Sequence, residues 1–462
     1  MINKNIQNNN HIYVILLFII LSIIVYLYKT HNDNNDNNNN NDNNNDNRNN
    51  GINYKKEKLK EINNNFTNTN NNKNNNNTNL GIKYIKCGHQ KLQNTLRFVF
   101  DKYNFVRINE NMTNWNLYIP CGYNYIETEL NNIKLTANNQ AIYAIKGCDK
   151  IASKNELWKI VSNYFGRDKA SKLIPESFII NNPNDIELFK TKYKKDNIYL
   201  LKKNIQRKEG ILLLNDYDKI MKQIQYAKKN IYKYYNNNNY QNNYQNNLVI
   251  TEENYNKNQN INSLINNYKI IQTYIKDLYI INKRKCNIRL YLLIKCKNGI
   301  KNAYLYNYGK CIYTNKDYSN TNKKYNKTYN KEEYLTSYLL DQDIYESHPE
   351  SLDDLYDFMG KKSYNHLWKN IIQLLTNIWK AIKQQVCNKK SISNALTFQL
   401  FGADIIFTNT MMPYLLEFNK GPSMKYMNET DKKMKIKLTE DLFKQVGLIP
   451  MNKLDQNEFI QL

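Results

Sequence analysis

No C-x-x-C pair occurs anywhere in the 462 residues, and the seven cysteines, Cys87, Cys121, Cys148, Cys286, Cys296, Cys311 and Cys387, are scattered and odd in number. That pattern reads as reduced thiols in a cytosolic compartment rather than a disulfide framework. Histidine is scarce too: of five, His11 and His31 flank a hydrophobic segment, so no zinc set can be assembled. A G-x-x-x-x-G-K-[ST] loop and a kinase catalytic-loop motif are both missing, as is a Cys/His or Ser/His arrangement for nucleophilic catalysis. Without a recognition motif or a base-stacking signature, no nucleic-acid partner is expected. What these absences leave open is chemistry done with oxygen ligands and cations.

Cations are abundant. Lys plus Arg number 66 against 41 Asp plus Glu, a formal charge of +25, which points to an acidic partner or to a bias of composition. The front of the chain holds an uncharged run, Ile12 to Tyr28, at the short limit for crossing a bilayer, with Tyr13, Tyr26 and Tyr28 near its ends. This predicts a membrane anchor over residues 1–30, uncleaved because no small-residue cleavage site follows. The flanking charges are nearly balanced, so the expectation of a cytosolic catalytic part rests on the thiols and on the function argued below. An Asn-rich linker follows over 31–80, and a second Asn-rich tract interrupts 235–267; neither carries the apolar residues needed to offset the entropy of ordering.

After Gly81 the pattern becomes a mixture of strands and helices. "NELWKIVSNYFG" reads as a helix closed by Gly166, "ESFII" as a strand after Pro175, and "NIYLLKKN" with "ILLL" as two strands joined by the lid-like loop "IQRKEG". "YKIIQTYI" reads as a buried strand. "NIRLYLLI" alternates, setting Ile288, Leu290, Leu292 and Ile294 on one face and Arg289 and Tyr291 on the other. A helix of about 20 residues is predicted between His366 and Cys387 from the helical spacing of its apolar residues. Two strands, "TFQLFGADIIF" and "PYLLEFN", end the pattern, which is α+β and lacks the regular repetition of a doubly wound sheet.

The chemistry concentrates in those last two strands. At period two, Glu417 and Asn419 share a face, and antiparallel pairing brings Asp404 alongside. Two carboxylates and an amide oxygen are hard ligands suited to Mg2+, and carboxylates set among apolar neighbours need a compensating cation. Arg289 is the one charge on an apolar strand, placed either for bidentate phosphate recognition or for a salt bridge to Asp404 or Glu417. Lys202, Lys285 and the lid residues Arg207 and Lys208 are further candidates for contacting phosphate.

The string "FQLFGADIIFTNTMMPYLLEFNKGPSM" resembles the signature of the tubulin-tyrosine ligase-like family, in which F-x-L-F-G-x-D is followed by W-L-L-E-x-N-x-x-P-S. "IIQTYIKDLYIINKRKCNIRLYLLI" is similar to its adenine-side and K-x-D-I-R segments, and "YLLKKNIQRKEGI" to its phosphate-covering lid. The resemblance implies an ATP-grasp-like fold of two to three packed subdomains, 81–170, 171–295 and 296–450. It implies an ATP-dependent ligase that activates a carboxylate as an acyl phosphate and joins a free amino acid to it, with tubulin or another acidic protein tail as acceptor. By position, Asp404, Glu417 and Asn419 would hold Mg2+, and Lys202 and Lys285 would contact nucleotide phosphate or ribose. Gln272 and Tyr274 would border the adenine, Arg207 and Lys208 would belong to the lid, and Arg289 would face the γ-phosphate and the reacting carboxylate. Asn287 stands where the family has Asp, Lys310 where an arginine is expected, and the lid has the single glycine Gly210. These departures keep a second reading open, a membrane-anchored binding protein that retains the fold and grips acidic tails without turnover.

Overall fold

In the computed structural model, the residues described are 81–88, 92–204, 210–237, 267–319, 329–337, 340–452 and 455–462, all within the unit Leu80–Leu462. Four short strands come first: β1 (Lys83–Lys86), β2 (Val106–Arg107), β3 (Leu117–Ile119) and β4 (Ala141–Ile142). They run parallel in the order β4-β3-β1-β2, with helix α1 (Asn94–Lys102) crossing between β1 and β2. Helix α2 (Lys154–Phe165) follows and ends where Gly166 turns to φ 78°, a value that favours glycine. The segment "LYIPCGYNYIE" contains β3 and the start of a short helix at Ile126.

A small sheet comes next. β5 (Ser177–Ile179), β6 (Tyr199–Lys202), β7 (Ile211–Leu214) and β8 (Ile270–Thr273) are all antiparallel in the order β5-β8-β6-β7. Alternation gives this sheet two different faces. Phe178, Tyr199, Leu201 and Ile271 pack with α3 (Pro183–Lys192) and α4 (Tyr217–Asn237) into one core, whereas Leu200 and Tyr274 join a separate cluster with Ile406 of the large sheet. α4 continues through Asn237, so the first residues of the expected insertion are helical; positions 238–266, like the lid residues 205–209, lie outside the described residues.

β9 (Ile280–Ile281) then leads into the long hairpin of β10 (Arg284–Lys297) and β11 (Ile300–Tyr313), joined at Asn298-Gly299, both with positive φ (52° and 79°), as a type I′ turn requires. After helix α5 (Lys361–Ile382), β12 (Leu396–Phe407) pairs with β10 and β13 (Pro413–Asn419) with β12; helix α6 (Glu429–Val446) and edge strand β14 (Phe459–Gln461) complete the chain. β12 also pairs in parallel with β4, fusing both halves into one ten-stranded sheet. Ile288, Leu290, Leu292 and Ile294 face the core that holds α2 and α5, while Tyr291 and Leu293 face the core that holds α1 and α6. Burying both faces of β10 explains why its sequence is so apolar, each such side chain contributing about 1.5–3 kcal/mol.

Two expectations need correction. The single-pass membrane reading is not sustained: among the described residues no helix is long and apolar enough to cross a membrane, and Ile12–Tyr28, on which it rested, lies outside them. Nor are the cysteines all thiols, since Cys87 is bonded to Cys121 and Cys296 to Cys387, leaving Cys148, Cys286 and Cys311 buried and free. Cys87 and Cys121 lie just past the ends of the neighbouring strands β1 and β3, an adjacency that their separation of 34 residues conceals.

Candidate functional site

The site lies where the small sheet's second face meets the ends of β10, β12 and β13. From β10 come Lys285, Asn287 and Arg289, three positions of one face, the first two buried. Cross-strand register extends this into a row. Lys310 of β11 is paired with Arg289, Arg289 with Asp404 of β12, and Asp404 with Glu417 of β13, so four charged residues cross four strands on one face. Asn419 pairs with Gly402 beside them. The register shifts between Asp404 and Ile405, leaving Leu416 as the extra residue of a bulge that turns the end of β13. Gly402 leaves room for the Arg289 side chain to cross it: a Cβ there would lie 3.1 Å from Cδ of Arg289 and 3.2 Å from Cβ of Pro422, so one of these would have to give way slightly.

Both carboxylates already have cation partners. Arg289 forks Asp404, Nε to Oδ1 at 2.5 Å and a terminal nitrogen to Oδ2 at 3.1 Å, and Asn419 donates its amide to the same Oδ2 at 3.3 Å. Glu417 accepts from Lys154 at 3.0 Å. Of the two roles open to Arg289, this structure displays the salt bridge, and the cations that offset the two acids here are Arg289 and Lys154 of the protein itself. The donor set still fits Mg2+, being two carboxylates and an amide oxygen with no sulfur or imidazole.

From the opposite sheet come Lys202 on β6 and Gln272 and Tyr274, at and just beyond the end of β8. Burial depresses Lys202 to a pKa of about 8 against the pull of Glu417, and burial together with the charge of Lys202 takes Lys285 to about 7. Burial works to raise the Glu417 carboxyl, but Lys154, Lys202 and Arg289 bring it below its ordinary value. Lys285 donates to the carbonyl of Tyr334 at 2.7 Å and sits 4.8 Å from the centre of the Tyr274 ring, whose hydroxyl donates to the same carbonyl at 3.2 Å. Gln272 donates to the Ser177 hydroxyl and Asn287 to that of Thr336, which leaves Gln272 Oε1 and Asn287 Oδ1 buried without a partner. Buried polar atoms left without a partner on the facing sides of the two sheets fit a polar ligand. Arg207 and Lys208 lie outside the described residues.

Sequence reasoning missed Lys154 and Thr336. Lys154 opens helix α2, more than 260 positions before its partner, and nothing in its neighbourhood marks it; Thr336 stands just after the short helix Lys331–Tyr334.

Two sheets closing on a gap lined by lysines, paired acids and orphaned amides make a mixed α/β fold consistent with an ATP-grasp-like domain. The model of the tubulin-tyrosine ligase family matches residues 133–456, and the chain belongs to that family. Among similar proteins, the probable tubulin polyglutamylase TTLL9 of Bos taurus is 28% identical over 182 residues, 38% of this chain and 38% of the relative. Tubulin glycylase 3D of Tetrahymena thermophila is 28% identical over 191 residues, 38% of this chain and 17% of the relative. Tubulin monoglutamylase TTLL4 of Mus musculus is 23% identical over 208 residues, 40% of this chain and 17% of the relative. The chain thus spans well under half the length of these relatives.

Proposed function

We propose that this protein is an ATP- and Mg2+-dependent ligase that forms an amide between a free amino acid and a protein carboxylate, with an acidic tail such as that of tubulin as acceptor. The observation that carries the reading is the charged row Lys310, Arg289, Asp404, Glu417, with Lys285 on the same face of β10 and Lys202 opposite on the small sheet. ATP and Mg2+, when bound, supply the phosphoryl group that makes the carboxylate an acyl phosphate and the charge that offsets the phosphates. Asp404, Glu417 and Asn419 would hold the metal, and Lys202 and Lys285 the phosphates or ribose. Gln272 and Tyr274 would border the base, with Asn287 nearby, and the lid residues Arg207 and Lys208 would cover the phosphates. Arg289 is then shared, orienting Asp404 through its fork while its remaining N–H groups serve the reacting carboxylate. Lys154 holds Glu417 in place and keeps it ionised.

The closed pairing of both acids also favours a second reading, a protein that keeps the fold and binds acidic tails without turnover. One assay separates them. Purified chain, Mg2+, ATP and tubulin are incubated in turn with labelled Tyr, Glu and Gly; the ligase reading expects ATP-dependent label on the protein with one of them. No label with any of the three sinks it.

A further inference from the structure

β1 connects through α1 to β2 on one side, and the chain then passes back to β3 and β4 on the other, so the strand order reverses between β1 and β3. The crevice outside the carboxyl ends of two such strands is where open parallel sheets hold ligands. Here those ends carry Cys87 and Cys121, and the short helix Ile126–Asn132 sets Glu129 beside them. The two sulfurs and a carboxylate oxygen lie within 4.8 Å of one another, and all three residues are partly exposed. Glu129 is held from behind: the Cys121 N–H donates to both its oxygens, at 3.0 and 3.1 Å, and the Tyr118 hydroxyl to Oε1 at 2.9 Å. The buried Lys86 donates to the carbonyls of Pro120, Cys121 and Cys87, and Arg107 to those of Lys86 and Gly88.

We propose that Cys87, Cys121 and Glu129 form a redox-gated site for a zinc-class divalent cation, closed while the disulfide stands and open once it is reduced. A soluble thiol reductant attacks the exposed disulfide; two electrons pass to the cysteine sulfurs, giving two cysteine thiols and the reductant's own disulfide. Zn2+ then displaces both thiol protons to solvent and forms two Zn–S bonds and one Zn–O bond, with water at the fourth position. Ligands at about 2.1–2.3 Å in a tetrahedron stand roughly 3.6–3.8 Å apart, inside the observed span. Two thiolates and a carboxylate carry three negative charges, the cation leaves one, and the Lys86 ammonium offsets it. The hydrogen bonds to Glu129 are those expected behind a metal-ligating carboxylate. Soft thiolates select zinc over magnesium, which separates this site from the all-oxygen set of Asp404, Glu417 and Asn419. Two other clusters fail the same test. Glu127 and Asp149, beside Cys148, are taken by Lys146 and Lys420, and the Cys296–Cys387 bond has Lys146, Lys297, Lys301 and Lys389 around it, cations that would repel a metal ion.

The test titrates the full chain, oxidised or reduced and freed of reductant under argon, with Zn2+ against a chromophoric chelator and with Co2+, whose thiolate charge-transfer absorption reports sulfur ligation. The reduced wild type should bind one Zn2+ and show that absorption with Co2+, whereas the oxidised wild type should bind at least 100-fold more weakly and show none. Cys121→Ser should lose Zn2+ affinity by 100-fold or more, Glu129→Gln by tenfold or more, and Cys296→Ser should stay within threefold. Zn2+ should also slow alkylation of Cys87 and Cys121 tenfold or more, read by peptide mass mapping. Should Cys121→Ser fail to fold, the oxidised and reduced wild type together with Glu129→Gln decide the matter. Zn2+ bound without thiolate absorption, affinity indifferent to oxidation or to Glu129→Gln, or affinity lost with Cys296→Ser overturns the assignment.

Discussion

At the residue scale, the two depressed lysines make a prediction with a definite sign. In the free protein Lys285 loses its proton near pH 7 and Lys202 near pH 8, against an ordinary 10.5, because burial disfavours their charge. A bound phosphate favours the charged form and raises both values, so ATP affinity should be greatest below pH 7 and fall as pH rises through 7 to 8. Binding near pH 8 should take up protons, up to one for each lysine, which calorimetry in buffers of different ionisation enthalpy reads; binding without proton uptake would remove these lysines from the phosphates. Glu417→Gln should abolish magnesium-dependent turnover with the fold intact, though Lys154 then loses its ionic partner, so a fall of about 1–3 kcal/mol in stability is expected. Full turnover at saturating magnesium in that variant sinks the metal assignment. Asp404, Glu417 and Asn419 were legible because a strand's alternation fixes which side chains share a face, and the structure pairs Asp404 with Glu417 in register. Lys154 and Thr336 were not, since each reaches the site through tertiary contact that no local period encodes.

At the scale of elements, what was readable tracked the strength of the local signal. β12 and β13, with their loop from Thr408 to Met412, stand where the alternating pattern put them, and α2 stops at its glycine. α5 begins at Lys361, earlier than expected, because Gly360 with φ 76° starts it, and it ends at Ile382 before a short 3-10 turn. The parallel strands β1 to β4 went unread: they are two to four residues long, too short for a period to show, and are held by neighbours rather than by their own sequence. Nor did spacing reveal the bond from Cys296 at the end of β10 to Cys387 beyond α5, because only the fold brings the two positions together. That bond closes a loop spanning 91 positions, so in the chain-entropy view Cys296→Ser should lower unfolding stability by ~4–5 kcal/mol, read as a shifted guanidinium midpoint. A midpoint unmoved by the substitution, and by reductant, would show that the pair contributes nothing to the fold.

For the whole molecule the governing quantity is charge. Of the +25, all but two excess positive charges lie after Leu80, so the field belongs to the part that carries the site rather than to the front of the chain. Such a field raises the local concentration of an acidic chain and speeds its encounter, by ~10-fold or more at low salt, and it is screened over a Debye length of about 10 Å at 0.1 M. A zwitterionic amino acid without a charged side chain, such as glycine or tyrosine, carries no net charge and is not steered. The two substrates of the proposed ligase should therefore respond differently to salt. Between 50 and 300 mM KCl, the KM for an acidic acceptor peptide should rise by ~10-fold while that for a net-neutral free amino acid changes by less than ~2-fold. Initial rates at saturating ATP, varying one substrate at a time, measure both. Equal salt dependence would place the charge effect on nucleotide binding or on folding, and none at all would mean that the excess lysines are a matter of composition alone. A chain that binds the peptide with the same steep salt dependence but never labels it would instead be the non-catalytic binder, its field intact and its chemistry lost.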